Sequence, residues 1–363
     1  MLEAKGGGMR VLRLKGSHLE MGQQLGHELR EETQRFYATR LQIAIDQAWK
    51  YGNRRIDEAE VLKAARACLP VTRAYDPKGF EELQGIAQGA GLSMEQVLAL
   101  NGLTDLRDWL AWGGDEDSLG GCSAFVTQSD MTQDGEMICG QTWDLATNNM
   151  PYVIGVHRQP DQGPQTWTLT TAGCLSLIGM NEDGLCVGTT NVRMTDAGAG
   201  VVYLSIIHKA LSADSQSAAV RCVTEAPRAS GHFYYIADAD GNATALECTG
   251  TRLHEQTVEK GVYVHCNHCL IPENAALEGH EPTASSLERT ERLDRLFREN
   301  AGNNSIESAK GFLANTEGGL TAICRDDTEG ISSNGAVVMV PSRREIQACH
   351  GLPSTATWIH LNR

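Results

Sequence analysis

The chain has 363 residues, 41% of them hydrophobic and 21% charged, with a formal net charge of −15. That balance suits one or two folded domains and excludes a disordered chain, and so acidic a surface argues against nucleic acid and anionic membrane as partners. No apolar run reaches the ~18 residues that cross a bilayer, the first residues lack a signal-peptide core, and the 11 scattered cysteines read as reduced core thiols, so a cytoplasmic protein is expected.

Residues 18–110 read as helical. Over 18–38 the apolar positions Leu19, Met21, Leu25, Leu29 and Phe36 recur at three and four. Asp57 is a candidate cap for a helix over 58–68, stopped by Pro70. Residues 80–91 place Phe80, Leu83, Ile86 and Ala87 on one face, and another helix follows over 94–100. Residues 113–121 are glycine-rich and acidic, which marks a loop. After it the texture changes to strands. Residues 122–128 and 137–142 form a hairpin over Asp134-Gly135. Strands are expected over 167–171, 175–180 and 185–190, then helices over 201–211 and 218–224. A second hairpin joins 233–237 to 243–248 through a turn at 238–242, and 262–266 is a strand. A charged helix over 285–298 carries Leu287, Leu293 and Leu296, and 337–340 pairs with 346–350. Hairpins mixed with helices indicate α+β layers, not the strict alternation of a parallel α/β sheet.

Cys122 stands at the junction of the acidic loop and the first strand of this region. A thiol is a strong nucleophile once a base takes its proton. Cleavage between Gly121 and Cys122 would supply that base as the new α-amine, whose reference pKa of ~7.7–8.0 suits the task. The hairpin returns Trp143-Asp144 toward Cys122, where the Asp144 carboxylate could orient the amine or bind a cation. Asn267, at a strand end, has a side-chain NH₂ able to hold an oxyanion. Two competing readings use the same residues. The cluster His265-Cys266-Asn267-His268-Cys269 has a Cys-x-x-Cys spacing that would suit a zinc-stabilised binding module, although no second such pair exists. Alternatively, Cys122 pairs with His232 or His268 in a hydrolase that never cleaves itself.

The chain resembles the acyl-coenzyme A:6-aminopenicillanate acyltransferase family of N-terminal-nucleophile hydrolases, also called isopenicillin N acyltransferase-like. The resemblance runs through Gly16-Ser17-His18-Leu19-Glu20-Met21-Gly22, residues 82–91, Asn101, Gly121-Cys122-Ser123-Ala124 and Gln141-Thr142-Trp143-Asp144. It continues through residues 178–185, Asn267-His268-Cys269-Leu270, Ile323-Cys324-Arg325 and Gly351-Leu352-Pro353. It implies a four-layer α-β-β-α sandwich and a precursor that cuts itself before Cys122. Segments 1–121 and 122–363 would then be a small and a large subunit of one compact unit. By motif position Cys122 would be the nucleophile, Asp144 the nearby carboxylate and Asn267 the oxyanion donor. Ser332 would match a family serine, and Ser333 stands where an arginine is expected. Trp112, Trp143 and Arg325 are the candidate substrate contacts. The reaction would cleave a linear amide of a small molecule through an acyl-thioester, without metal or organic cofactor, in a chain free to form a homo-oligomer. Net hydrolysis is favoured over coenzyme A-dependent acyl transfer, because no Lys/Arg cluster stands out to receive an anionic donor.

Overall fold

The computed structural model describes residues 2–4, 8–111, 121–326 and 330–363. Most of the acidic loop, and Trp112, lie outside them. Strands β1 (Leu2–Ala4) and β2 (Arg10–Gly16) precede helices α1 (His18–Glu28), α2 (Arg30–Gly52), α3 (Glu58–Tyr75), α4 (Pro77–Ala90) and α5 (Met94–Ala111). Then come β3 (Ala124–Thr127), β4 (Ile138–Ala146), β5 (Val153–Pro160), β6 (Thr166–Thr171), β7 (Ile178–Asn181) and β8 (Cys186–Asn191). Helices α6 (Tyr203–Leu211) and α7 (Gln216–Thr224) lead to β9 (His232–Ala237), β10 (Ala243–Cys248), β11 (Leu253–Thr257) and β12 (Val262–His265). Helices α8 (Pro272–Ala275), α9 (Ala284–Glu299) and α10 (Ile306–Leu313) precede β13 (Ile331–Val340), β14 (Glu345–His350) and β15 (Trp358–His360).

Two sheets carry these strands. One has the order β1-β2-β5-β6-β7-β8-β9-β10-β11, the other β12-β3-β4-β13-β14-β15. Pairing is antiparallel except between β2 and β5. Helices α1, α6 and α7 pack on the larger sheet, and α9 and α10 on the smaller. The sheets face each other between them, which is the α-β-β-α order. One side chain ties them directly: the Gln141 amide of β4 accepts from Thr189 N–H and donates to Thr189 C=O of β8, both at 2.7 Å. It thereby completes backbone groups that β7 leaves unpaired, since the β7–β8 ladder pairs only Gly179 with Val187 and Met180 with Cys186. All eleven cysteines are unpaired and ten are buried, as core thiols. Among the described residues no helix is long and apolar enough to cross a membrane.

Local chemistry explains the helix starts. Ser17 with Glu20, and Asp57 with Glu60, form capping boxes at α1 and α3. Two boundaries depart from the pattern. The stretch from 18 breaks at Leu29 into α1 and α2, and α3 runs through Pro70 to Tyr75. Pro70 and Arg66 both lie exposed, so the carbonyl deprived of its helical donor faces water, and Cys68 and Thr72 keep the other face buried.

Helices α1 and α4 touch backbone to backbone. A Cβ added at Gly22 would sit 2.1 Å from Glu82 O, and one at Gly26 2.4 Å from Ile86 O. In return, a Cβ at Gly85 would sit 2.2 Å from Leu19 O, and one at Gly89 2.5 Å from Gln23 O. Gly85→Ala is therefore expected to destabilise the fold by about 2–3 kcal/mol through overpacking. Gly311→Ala on α10, where a Cβ meets nothing within 4 Å, should stabilise by up to about 1 kcal/mol. Urea unfolding of the two variants beside the wild type measures the contrast.

Candidate active site

The β3–β4 ladder extends back to the junction. Ser123 N–H donates to Thr142 Oγ1 at 3.1 Å, and Thr142 N–H donates to Ser123 O at 3.0 Å. That register brings Cys122 beside the end of β4, where the Asp144 N–H faces its sulfur. Burial pushes the Cys122 thiol up to about 12, reinforced by the Asp144 charge and opposed by that N–H and by the Arg289 guanidinium. In the continuous chain the sulfur is protonated at neutral pH.

Asp144 is fully buried, and neither carboxylate oxygen makes a hydrogen bond of regular geometry. Burial raises its pKa from 3.8 to about 6, while Arg289, the Ser333 hydroxyl, Arg325 and Thr142 pull it down. Asn267 follows β12. Its N–H donates to Ser286 Oγ at 2.8 Å, its Nδ2 donates to Asn191 O at 2.9 Å, and its Oδ1 accepts from Arg289 Nη2 at 3.0 Å. The guanidinium fixes the amide's orientation and leaves its second N–H free for a bound group. Gly121, Cys122, Asp144, Asn191 and Asn267 line one cavity, closed from the helical side by Arg40, Gln47, Thr104 and Arg107 of α2 and α5.

Arg289 of α9, 1% exposed, ties these parts together. Its Nη1 donates to Cys122 O at 2.7 Å and Ser123 Oγ at 3.1 Å, and its Nε to Ser285 Oγ at 3.2 Å. A Cβ at Gly121 would lie 2.4 Å from Arg289 Nη2, so only glycine fits beside this guanidinium. The sequence held a signal for Arg289: it precedes Leu293 and Phe297 by one and two turns, on the buried face of α9. Leu287, read as part of that face, is 48% exposed.

The other candidates divide. Ser332 is buried opposite Leu145, its hydroxyl 3.5 Å from Asn334 Oδ1, while Ser333 stands opposite Asp144. Arg325 is buried, its backbone exchanges bonds with the Ser333 hydroxyl and backbone (Arg325 N–H to Ser333 Oγ, 3.0 Å; Ser333 N–H to Arg325 O, 2.9 Å), and its charge reaches Asp144. Trp143 is buried in the core and does not line the cavity, and Trp112 lies outside the described residues. The zinc reading of 265–269 is corrected. His265 stacks on Phe233 and bonds Thr190, His268 bonds Ser286, Cys266 points at Ser123, and Cys269 packs with Val192 and Met194. These side chains diverge. His232 is bound to Asp105 at 2.8 Å, and no histidine among the described residues lines the Cys122 cavity.

Comparison with known proteins gives a family and several similar structures. A family model described as acyl-coenzyme A:6-aminopenicillanic acid acyl-transferase matches residues 131–350. The 40 kDa form of acyl-coenzyme A:6-aminopenicillanic-acid-acyltransferase from Emericella nidulans is 26% identical over 286 residues, covering 78% of this chain and 76% of that protein. Penicillin V acylase from Agrobacterium tumefaciens is a structural neighbour at 14% identity and TM-score 0.46, over 67% of this chain and 87% of its own. A variant of conjugated bile acid hydrolase from Clostridium perfringens gives 12% and 0.48, over 66% and 93%.

The raised pKa of Asp144 has a consequence for stability. The native state holds this proton more tightly than the unfolded chain, so stability falls as pH rises from about 4 to about 6. In the uncleaved Cys122→Ala background, Asp144→Asn should be about 2–3 kcal/mol more stable than its parent at pH 7.5 and converge with it near pH 4. Denaturation at the two pH values measures this.

Proposed function

This chain belongs to the acyl-coenzyme A:6-aminopenicillanic acid acyl-transferase family, and from that premise we propose that it is a self-cleaving amide hydrolase or acyltransferase with Cys122 as nucleophile. The observation that carries the reading is the meeting of Gly121, Cys122, Asp144 and Asn267 at one buried cavity. In the first step the Cys122 sulfur attacks the Gly121 carbonyl carbon. The peptide C–N bond breaks, the nitrogen takes up a proton, and a thioester forms. Water hydrolyses it to a Gly121 carboxylate, a free thiol and a free α-amine on Cys122. Segments 1–121 and 122–363 stay together as subunits because helices α1 to α5 share one core with both sheets.

In turnover the α-amine takes the thiol proton, and Asp144 holds the resulting ammonium. The thiolate attacks a substrate amide carbonyl. Asn267 Nδ2 and backbone N–H groups stabilise the oxyanion. Collapse protonates and releases the amine and leaves an acyl-thioester, which water resolves to an acid, or a second amine to a new amide. Ser333, opposite Asp144, is the better candidate than Ser332 for a hydroxyl in this site.

The cavity wall bears on substrate. Arg40 and Arg107, far apart in sequence, both line it. Arg107 is matched by Asp108 at 2.7 Å, whereas Arg40 is 7% exposed and burial weakens its hold on its proton. A buried guanidinium facing a nucleophile suits an amide that bears a carboxylate or other anionic group. The absence of a basic cluster in the sequence had weighed against an anionic acyl donor; this wall removes that weight and keeps acyl transfer beside hydrolysis.

Intact mass under denaturing conditions tests the first step. Two fragments, 1–121 and 122–363, are expected from the wild type and one chain from Cys122→Ala; a single chain in both sinks the proposal. Asn267→Ala should lower kcat about 10²–10³-fold while KM changes little. Arg40→Gln should raise KM about tenfold or more for acid-bearing amides and leave neutral amides unaffected.

A further inference from the structure

The motif around His18 and the buried Glu82 belong to neither the cavity nor the chemistry above. They meet where α1, α4 and α6 adjoin the larger sheet, beside Arg158 of β5. His18 starts α1, Glu82 lies in α4 and His208 in α6. His208 Nε2 is 3.3 Å and His18 Nδ1 is 3.7 Å from the same oxygen, Glu82 Oε2. The three atoms lie within 4.8 Å of one another, and each is buried without a hydrogen-bond partner. Glu82 is fully buried and His208 nearly so, so three unsatisfied polar atoms point at one space.

Proton sharing is a poor account of this arrangement. Arg158 Nε already donates to Glu82 Oε1 at 2.7 Å, so the carboxylate's charge is matched without an imidazolium. Both imidazole–carboxylate separations exceed the ~2.7–2.9 Å of a charge-assisted hydrogen bond. They fit better the edges of a coordination shell: ligands ~2.0–2.2 Å from a tetrahedral ion lie ~3.3–3.6 Å apart. The other ring nitrogen of His208, Nδ1, lies 3.0 Å from Ser176 Oγ. If Nδ1–H donates to Ser176, Nε2 presents a lone pair to Glu82, as outer partners of ligating histidines do. Asp76 adds negative charge nearby: its Oδ2 and the His208 ring both flank Gly79.

We propose that His18 Nδ1, Glu82 Oε2 and His208 Nε2 bind one divalent transition-metal ion of the zinc type, which staples α1, α4 and α6 together. Two imidazoles and a carboxylate are a donor set that suits zinc, with a fourth position left for water. The ion would brace the close glycine contact between α1 and α4. Because the site is separate from Cys122, its occupancy does not depend on self-cleavage.

The test uses untagged full-length protein stripped with chelator, as wild type and as Cys122→Ala, titrated with Co²⁺ and then displaced with Zn²⁺. One equivalent per molecule (one 1–121/122–363 pair in the wild type, one chain in the variant) is expected in both, with visible Co²⁺ absorption and a melting temperature raised by several degrees on adding Zn²⁺. His18→Asn and His208→Asn should each weaken binding at least tenfold. Should His208→Asn fail to fold, His18→Asn decides, since His18 is partly exposed. Less than a tenth of an equivalent bound by folded wild type, or undiminished binding in folded His18→Asn, overturns the proposal. Neither result touches the Cys122 reading, which the mass measurement judges separately.

Discussion

One buried guanidinium organises the candidate site. Arg289 has five donors in a rigid fork, and the structure gives partners to the carbonyl side of Cys122, to Ser123, to Ser285 and to the Asn267 amide. These groups come from the residues just before β3, from α9 and from the residues just after β12, so a single side chain sets the spacing between thiol and amide. Its charge also lowers the pKa of both Cys122 and Asp144 against their burial. A lysine, with three donors on a single nitrogen, would not reach all four. Gly121 is the steric counterpart, because the same fork fills the space where its Cβ would go.

The second constraint is the gap between the sheets. Strand β8 parts from β7 after Val187, and its backbone would be left with unpaired groups. Gln141 from the opposite sheet supplies both a donor and an acceptor to Thr189, and Thr190 Oγ1 meets His265 Nδ1 at 2.8 Å. Asn267 repeats the pattern at Asn191. Three consecutive residues at the end of β8 are thus tied to the smaller sheet. The tie holds the cavity open on one side, while α2 and α5 close it on the other.

Much of this was legible in the sequence wherever the signal was local. Capping at Asp57, the Asp134-Gly135 turn and the 238–242 turn between β9 and β10 are all short-range, and the elements formed there. Strands β2 and β5 were not anticipated. Each finds its parallel partner across some 140 residues, through register that no local pattern encodes. The extension of α3 past Pro70 is a tertiary override: the helix keeps a buried face, and the lost bond faces water. Within the site, Cys122, Asp144 and Asn267 carried visible chemistry. Arg289 and Arg40 did not, because a charged residue in a helix reads as surface until its burial is known. The 265–269 cluster shows the opposite error. Closely spaced ligand types suggest convergence, but consecutive residues at a strand end point in different directions.

The electrostatics of the continuous chain favour restraint of the thiol. Burial and the Asp144 charge hold Cys122 near 12, and burial leaves Asp144 near 6, so while the peptide bond to Gly121 is intact the thiol stays protonated and the ionised carboxylate is a base able to take its proton for the first attack. In the proposed scheme, cleavage changes the local charge by inserting an α-amine beside both. As an ammonium it pairs with Asp144 and lowers the carboxylate's pKa; as a free amine it accepts the thiol proton. The same buried carboxylate that costs stability before cleavage then becomes the partner of a charge that only cleavage creates. That is a physical reason for tolerating an unsatisfied carboxylate at the centre of the fold, and it couples the maturation of the chain to the reactivity of its sulfur.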